Sequence, residues 1–441
     1  MRGRPPLPPG PFLVAGLARS GQAVALALRA RGEEVIGVDA GSPEGLGRLR
    51  AAGVEVHPDA PGDQLVTRAR TLVKSPGVPE GAPVVRAARA AGLLVAGELE
   101  VAWRLVPNEL LAVTGTNGKT TTVELLGHVH RAAGAPVAVA GNVGTALSAL
   151  AGDVDPAATV VCETSSFQLE DALDFAPEAM VLLNLEPDHL DRHGTMAAYR
   201  AAKLRGFANQ GAGDIAVLPT GFDESDVPGA ARRVRFGEGP GADLCEREGA
   251  LWWRGERLLG TAELSIPGPH NVRNAMAAAA VALARGLDRD AVVEGLRTFA
   301  GVPHRLEPVG ERGGVLYVND SKSTNVASTL VALASFPGRV RLILGGVGKG
   351  QDFAPLRDAV AARASSVHLI GASAGEIAAA LAGSGVPVGD DRDLAAAVAS
   401  ASALAAPGEV VLLSPACASF DQYEDFEARG DHFRALAGSG A

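Results

Sequence analysis

Six short apolar runs in this chain stop at a polar or glycine-rich element, and that recurrence constrains the fold more than any other feature. GTNGKTT follows the run ending at Thr114, Glu163 follows Cys162, and Asn184 follows Leu183. Asp320 follows Asn319, GGVGKG follows Leu344, and SPACASF follows Leu413. Apolar strands with polar groups just past their carboxyl ends belong to open parallel sheets, where ligands bind at that edge. The pattern predicts strands over 12–15, 34–39 and 71–73, then over 110–114, 136–140, 159–162 and 180–183. A third series covers 316–319, 341–344, 366–370 and 409–413, and an alanine-rich helix is expected over 270–285. Residues 221–262 read as irregular and glycine-rich, and GVPHRLE at 301–307 as a junction.

At 441 residues, about three domains are expected. The expected fold class is α/β in three parts. A Rossmann-like domain spans 1–97, a central P-loop ATPase-type domain with a mostly parallel sheet spans 98–301, and a second Rossmann-like domain spans 302–441. A formal charge of −10 argues against a nucleic-acid partner, because phosphate backbones demand a basic face. No run reaches the ~18 apolar residues of a membrane span. The apolar patch near the N-terminus is interrupted at Arg19 and Ser20, unlike a secretion signal. Cysteines at 162, 245 and 417 offer neither metal-ligand spacing nor an even disulfide set, so a cytoplasmic location is expected. Basic usage says more: of 40 basic residues only five are lysines, at 74, 119, 203, 322 and 349. A lysine that persists among arginines is a candidate for work a guanidinium cannot do, such as a compact ammonium against phosphate or a reactive amine.

Taken alone, the Gly16 to Gly21 turn matches G-x-A-x-x-G, with Asp39 closing the next strand, and fits a dinucleotide site or any other nucleotide. KSPGVP at 74–79 supplies a second turn at the same edge. GTNGKTT, Gly115 to Thr121, reads as a phosphate loop at a helix N-terminus, with Lys119 for the outer phosphates and Thr120 for Mg2+. It lacks the glycine that the common P-loop pattern would place at Val113. Glu163 ends an apolar strand, where a carboxylate needs a metal or a donor, or caps a helix. His189 lies in an acidic loop, and Lys203 on a helix face.

The short TGTNGKTTT form is the one carried by Mur ligases and folylpolyglutamate synthases. ETSSFQLE (163–170), NLEPDHLDRHGT (184–195), YRAAKLR (199–205), HNVRNAMAA (270–278), PHRLE (303–307), NDSKSTN (319–325) and LSPACASFDQYEDFEARGDHF (413–433) resemble Mur ligase motifs, in order, over nearly the whole chain. GLARSG, SPGVP, DSKSTN and SPACASFDQY are most similar to the D-glutamate-adding branch, and the DNPR-type motif of the diamino-acid branch is missing from the sequence.

That resemblance implies ATP-dependent ligation of D-glutamate to UDP-N-acetylmuramoyl-L-alanine through an acyl phosphate, giving ADP and phosphate, in peptidoglycan precursor synthesis. It implies Mg2+ at two sites, held by Thr120, Glu163, His189 and Lys203, the last as a CO2-derived carbamate. Lys119, Glu163, His189 and Lys203 are the implied catalytic set. ATP falls to Gly115, Thr116, Asn117, Gly118, Lys119, Thr120 and Thr121, with Asn271 and Asn274 at the adenine, Arg305 at a phosphate and Asp320 at the ribose. The UDP-sugar falls to Leu17, Arg19, Ser20 and Asp39, with Asn142, Ser165 and Gln168 at the muramoyl-alanine part; Lys74 is expected at the diphosphate. D-Glutamate falls to Lys322, Thr324, Lys349, Ser419 and Phe420. GGVGK stands where relatives commonly carry GGDGK, so no acid at Val347 takes part. The expected partners are these small molecules, with no nucleic acid, no membrane span and a monomeric chain. A Mur-type ligase with another acceptor amino acid, or a dehydrogenase built on the first turn, are the competing readings.

Overall fold

The computed structural model describes residues 3–239, 241–266, 268–336, 338–348 and 350–438, and it contains three sheets. In the first, β1 (Phe12–Ala15), β2 (Val35–Val38), β3 (Glu55–His57), β4 (Thr71–Lys74) and β5 (Leu94–Gly97) pair in the order β3-β2-β1-β4-β5. Every pair is parallel. Phe12 and Val14 join a core with Val24 and Leu28, while Leu13 and Ala15 join another with Val84 and Val85. Both faces of β1 are therefore buried, which is why its sequence is continuously apolar rather than alternating. The winding reverses beside β1, so the turn at Gly16 sits at the switch point where such sheets open a crevice.

The second sheet comprises β6 (Leu110–Thr114), β7 (Val137–Gly141), β8 (Thr159–Glu163), β9 (Ala179–Leu182), β10 (Ile215–Pro219), β11 (Arg232–Gly237), β12 (Leu244–Arg247), β13 (Ala250–Trp253) and β14 (Glu256–Gly260). Its order is β14-β13-β12-β11-β10-β9-β6-β8-β7, so β6 lies between β8 and β9, and the winding reverses again at the loop after Thr114. This corrects the reading of 221–262 as irregular. The stretch carries four strands, the last three joined by two-residue turns at Glu248-Gly249 and Arg254-Gly255 in which every φ is positive. Such turns match the right-handed twist of a hairpin. These strands are only four to six residues long, and β13 (ALWW) and β14 (ERLLG) do not alternate apolar with polar residues, so no sustained period-2 signal marks the stretch.

The helix Glu98–Leu105 leads from the first sheet to the second, and it docks through the edge of Trp103 against Phe175, with centroids 5.8 Å apart. Pairs of this kind are worth about 1 kcal/mol beyond their buried area. Buried Glu100 in the same helix accepts the backbone amides of Leu173, Asp174 and Phe175 and pairs with Arg104 at 2.7 Å.

The third sheet comprises β15 (Glu307–Arg312), β16 (Val315–Asn319), β17 (Val340–Gly345), β18 (Ala364–Ile370), β19 (Val388–Arg392) and β20 (Val410–Leu413) in the order β15-β16-β20-β17-β18-β19. Only β15 is antiparallel. Because β20 inserts between β16 and β17 in register, the loops after Asn319, Gly345 and Leu413 emerge at one edge. The first two sheets belong to one compact unit and the third to another. The predicted strands and the helix Pro269–Ala284 start and stop within about two residues of their expected places, the usual uncertainty of element ends. Among the described residues no helix is long and apolar enough to cross a membrane.

Candidate active site

The phosphate loop leaves buried β6 and enters the helix Lys119–Ala132. Gly118 holds φ +84°, and a Cβ there would lie 2.2 Å from Oδ1 of Asn274, so the loop needs glycine both for its backbone and for its neighbour. Asn274 donates to Oδ1 of Asn271 at 3.1 Å; both are buried and share one helix face. Oδ1 of Asn184 accepts the amides of Thr116 (3.0 Å) and Asn117 (2.9 Å), and its Nδ2 donates to Asn117 O (3.1 Å). Sequence reading noted Asn184 only as a polar residue past a strand; the structure makes it the brace of the loop. Lys119 Nζ donates to the carbonyls of Gly115 (2.9 Å) and Thr116 (2.8 Å), and Thr121 is buried in the first helical turn.

Glu163 is the hub beside the loop. Register sets it opposite Val113 at the carboxyl end of β8, where it is 2% exposed. Thr120 Oγ1 donates to its Oε2 at 2.7 Å and Asn142 Nδ2 to its Oε1 at 2.9 Å. A carboxylate held by neutral donors keeps lone pairs for a cation, and with a neighbouring hydroxyl it offers hard oxygens of the kind Mg2+ takes. Lys203 is also buried, with its ammonium 2.7 Å from the Gly115 carbonyl and 4.6 Å from the ring centroid of Tyr199. Burial, reinforced by the Lys119 ammonium, pushes its amine down to about 7.

His189 stands at the N-terminus of the short helix Leu190–His193, exposed, with φ +51°. Its ring lies 4.8 Å from Phe167, which also stacks on His193 at 5.5 Å; His193 in turn meets Tyr199 at 5.2 Å. An aromatic chain thus runs from His189 to the residue beneath Lys203. Among the described residues, no three His, Cys, Asp or Glu side chains converge as a metal cluster.

At the first turn, both oxygens of Asp39 accept backbone amides, from Leu17 at 2.6 Å and Gly41 at 2.8 Å. A Cβ on Gly21 would come within 1.7 Å of Gly16 O, so the close approach of helix to strand admits only glycine. Ser20 lies half-buried in the first turn of the helix Arg19–Ala30. Arg19 is exposed and donates to Asn142 O at 3.0 Å, which joins two residues expected at one ligand. Ser165 and Gln168 form a reciprocal capping box at the start of the helix Ser166–Leu169. Lys74 departs from expectation. Its ammonium is buried and held by Glu80 at 2.5 Å and Asp171 at 2.8 Å, so its charge is neutralised inside the protein rather than offered to a diphosphate.

In the second unit, buried Asp320 accepts the Leu306 amide (3.1 Å) and the hydroxyls of Ser323 (2.5 Å) and Ser414 (2.7 Å). Burial raises its carboxyl to about 6. Arg305 lies half-buried in the tight 302–305 turn, near enough to Asp320 to oppose that rise. Lys322 Nζ lies 5.7 Å from the ring centroid of Phe426, and Thr324 is half-buried in the same loop. Ser419 is buried and Phe420 is 71% exposed. Lys349 lies outside the described residues. Arg429 was quoted in sequence without a role, yet it is 1% exposed and donates to the carbonyls of Ser321 (2.9 Å), Cys417 (3.1 Å) and Gly345 (3.4 Å). It ties together the three loops at the sheet edge. No local signal could reveal this, because its partners are up to 108 residues away.

Comparison with known proteins agrees with this geometry. Residues 113–282 match the Mur ligase middle domain and 304–417 the Mur ligase glutamate ligase domain. The chain is 42% identical to the UDP-N-acetylmuramoylalanine–D-glutamate ligase of Pelotomaculum thermopropionicum, covering 96% of each protein. It is 42% identical to the ligase of that name from Myxococcus xanthus, over 96% of this chain and 97% of the relative. Among solved structures, UDP-N-acetylmuramate-alanine ligase MurC from Thermotoga maritima shares the fold with a TM-score of 0.62 at 22% identity, covering 96% of this chain and 97% of that one. MurF ligase from the same organism, solved in complex with ADP, gives 0.60 at 18% identity, covering 92% and 94%. The phosphate loop braced by Asn184, the Glu163 hub and full-length similarity at this level together mean that the chain belongs to the Mur ligase family.

Proposed function

We propose that this chain is an ADP-forming amide ligase that joins D-glutamate to UDP-N-acetylmuramoyl-L-alanine at the expense of ATP, in peptidoglycan precursor synthesis. One observation carries the reading. Arg19 reaches Asn142, Asn142 reaches Glu163, and Glu163 takes the hydroxyl of Thr120, so an unbroken hydrogen-bonded path links the first turn to the phosphate loop. Amide formation from a carboxylate is uphill in water, and phosphoryl transfer from ATP makes the acid a competent acyl donor. Such a site needs the sugar-nucleotide and the ATP phosphates side by side, and little covalent chemistry from the protein.

Within this reading the loop amides and the Lys119 ammonium bind the phosphates, while Asn271 and Asn274 face the adenine. Arg305 and Asp320 serve ATP, and Lys322, Thr324, Lys349, Ser419 and Phe420 the acceptor. Leu17, Arg19, Ser20, Asp39, Asn142, Ser165 and Gln168 serve the UDP-sugar. Thr120, Glu163, His189 and carbamylated Lys203 hold Mg2+, which supplies charge neutralisation for the transferring phosphoryl group. The lowered amine of Lys203 supports the carbamate, because only an uncharged amine adds to CO2. The proposed domains are 1–97, 98–301 and 302–441. A cytoplasmic monomer serving cell-wall growth, and through it cell shape and division, completes the proposal. Its test is phosphate release from ATP with UDP-N-acetylmuramoyl-L-alanine, offering D-glutamate, L-alanine, glycine and diamino acids in turn. Release that depends on D-glutamate is expected; equal release without any acceptor, or preference for another amino acid, refutes the assignment.

A further inference from the structure

Arg192 lies one helical turn beyond His189 and takes no part in the site described above. Its side chain is 18% exposed. Nη1 donates to the Pro76 carbonyl at 2.8 Å and Nη2 to Oε2 of Glu170 at 2.9 Å, while the guanidinium covers the Phe167 ring at 4.1 Å from its centroid. Phe167 is the ring against which His189 rests. On the other side, the loop holding Pro76 is moulded onto the first turn: Ser75 Oγ donates to Gly16 O at 2.7 Å, and a Cβ on Gly16 would meet Val78 at 2.7 Å. A chain of contacts therefore leads from the turn at 16–21, through 75–78 and Arg192, to the imidazole of His189.

We propose that Arg192 is a positioning residue that makes the placement of His189 depend on occupancy of the 16–21 turn; the inference rests on the ligase reading above. A UDP-sugar settled on the turn fixes the Pro76 carbonyl, Pro76 fixes the guanidinium, and the guanidinium holds the 190–193 helix so that His189 faces the cation. Arginine suits this because its planar fork spans two acceptors at a set angle while its face covers a ring, which an ammonium cannot do. His189 is exposed and in the left-handed region, and apart from Phe167 its ring meets the carboxylate of its own chain neighbour Asp188, at 3.5 Å from Nε2, a contact that moves with the loop and does not tie it to the rest of the fold.

The test uses the full-length chain with ATP, UDP-N-acetylmuramoyl-L-alanine and D-glutamate, measuring phosphate release against Mg2+ concentration for Arg192→Lys and Arg192→Ala, and, with Mn2+ as the probe, cation binding by electron paramagnetic resonance with and without the UDP-sugar. The UDP-sugar is expected to tighten Mn2+ binding in the wild type and not in the variants; equal tightening in both overturns the coupling. The Mg2+ concentration giving half-maximal rate is expected to rise about tenfold, as for residues that orient a metal ligand, with the KM for D-glutamate unchanged. Arg192→Lys keeps the charge and the stem, so it decides the matter if the alanine variant fails to fold. Half-maximal Mg2+ unchanged from wild type in the folded variant overturns the coupling, as does a rise matched by an equal rise in the D-glutamate KM. A wild-type chain that releases no phosphate refutes the ligase reading instead, so the two failures are distinct.

Discussion

Replacing Lys203 by alanine tests the proposed carbamate at the point where the structure puts numbers on it. Burial and the nearby Lys119 bring the amine to about 7. At pH 7.5 most of it is uncharged, against about one part in a thousand for a free lysine near 10.4, so reactive amine is enriched on the order of a thousandfold. Addition of the uncharged amine to CO2 forms an N–C bond, releases one proton and turns a neutral group into an anion within the electrostatic reach of Glu163. The side chain is 2% exposed, so its removal leaves an enclosed space where the carbamate would stand. Lys203→Ala should release phosphate at least ~100-fold more slowly, the upper range for loss of a metal-orienting group. Formate or acetate should restore part of the rate by placing a carboxylate in that space. Lys203→Arg, which fills the space with a permanent cation, should not respond. Mass spectrometry at neutral pH should find one CO2 beyond the sequence mass, lost on acidification. A fully active enzyme of unmodified mass, or a Lys203→Ala variant with wild-type rate, refutes the reasoning.

Gly118→Ala forces φ +84° on a residue with a Cβ and drives that Cβ to 2.2 Å from Asn274. Backbone strain of about 1–2 kcal/mol is expected in denaturant unfolding, with a several-fold rise in the KM for ATP; an unchanged KM refutes the close fit. Lys74→Met leaves buried Asp171 with the more distant Arg89, 3.8 Å away, as its remaining cation and should cost about 3 kcal/mol of stability while leaving the KM for the UDP-sugar unchanged. A large rise in that KM would return Lys74 to the diphosphate. Asp320 has its carboxyl raised by burial from 3.8 to about 6. The folded chain keeps a proton that the unfolded chain gives up in this window, so stability falls as pH rises through it. The cost is complete above the folded value and amounts to roughly 3 kcal/mol at 1.36 kcal/mol per unit. Urea midpoints from pH 4 to 7 should fall less steeply in Asp320→Asn than in wild type, and parallel slopes would count against it.

Much of the fold was legible because fully buried parallel strands are continuous apolar runs, and the loops after them carry glycine, lysine and asparagine. β1 and β6 were placed residue for residue on that signal. The β11–β14 region was not, because its strands are only four to six residues long and sustain no alternation of apolar and polar residues, and its turns use Glu-Gly and Arg-Gly in place of the asparagine or aspartate that usually precedes glycine. The phosphate loop and Glu163 were readable as types of residue in a pattern. Their bracing by Asn184 and Asn142 was not.

The sequence by itself determined the layered α/β plan, the edge at which ligands bind and the scarce lysines worth attention, since each follows from local period and composition. Tertiary structure alone decided what each charge faces. Lys74 meets Asp171 rather than a ligand, Arg192 meets a carbonyl 116 residues away, and Arg429 gathers three loops. The physical reason is that a buried charge is tolerated only with partners, and partners brought together by folding leave no trace in local order.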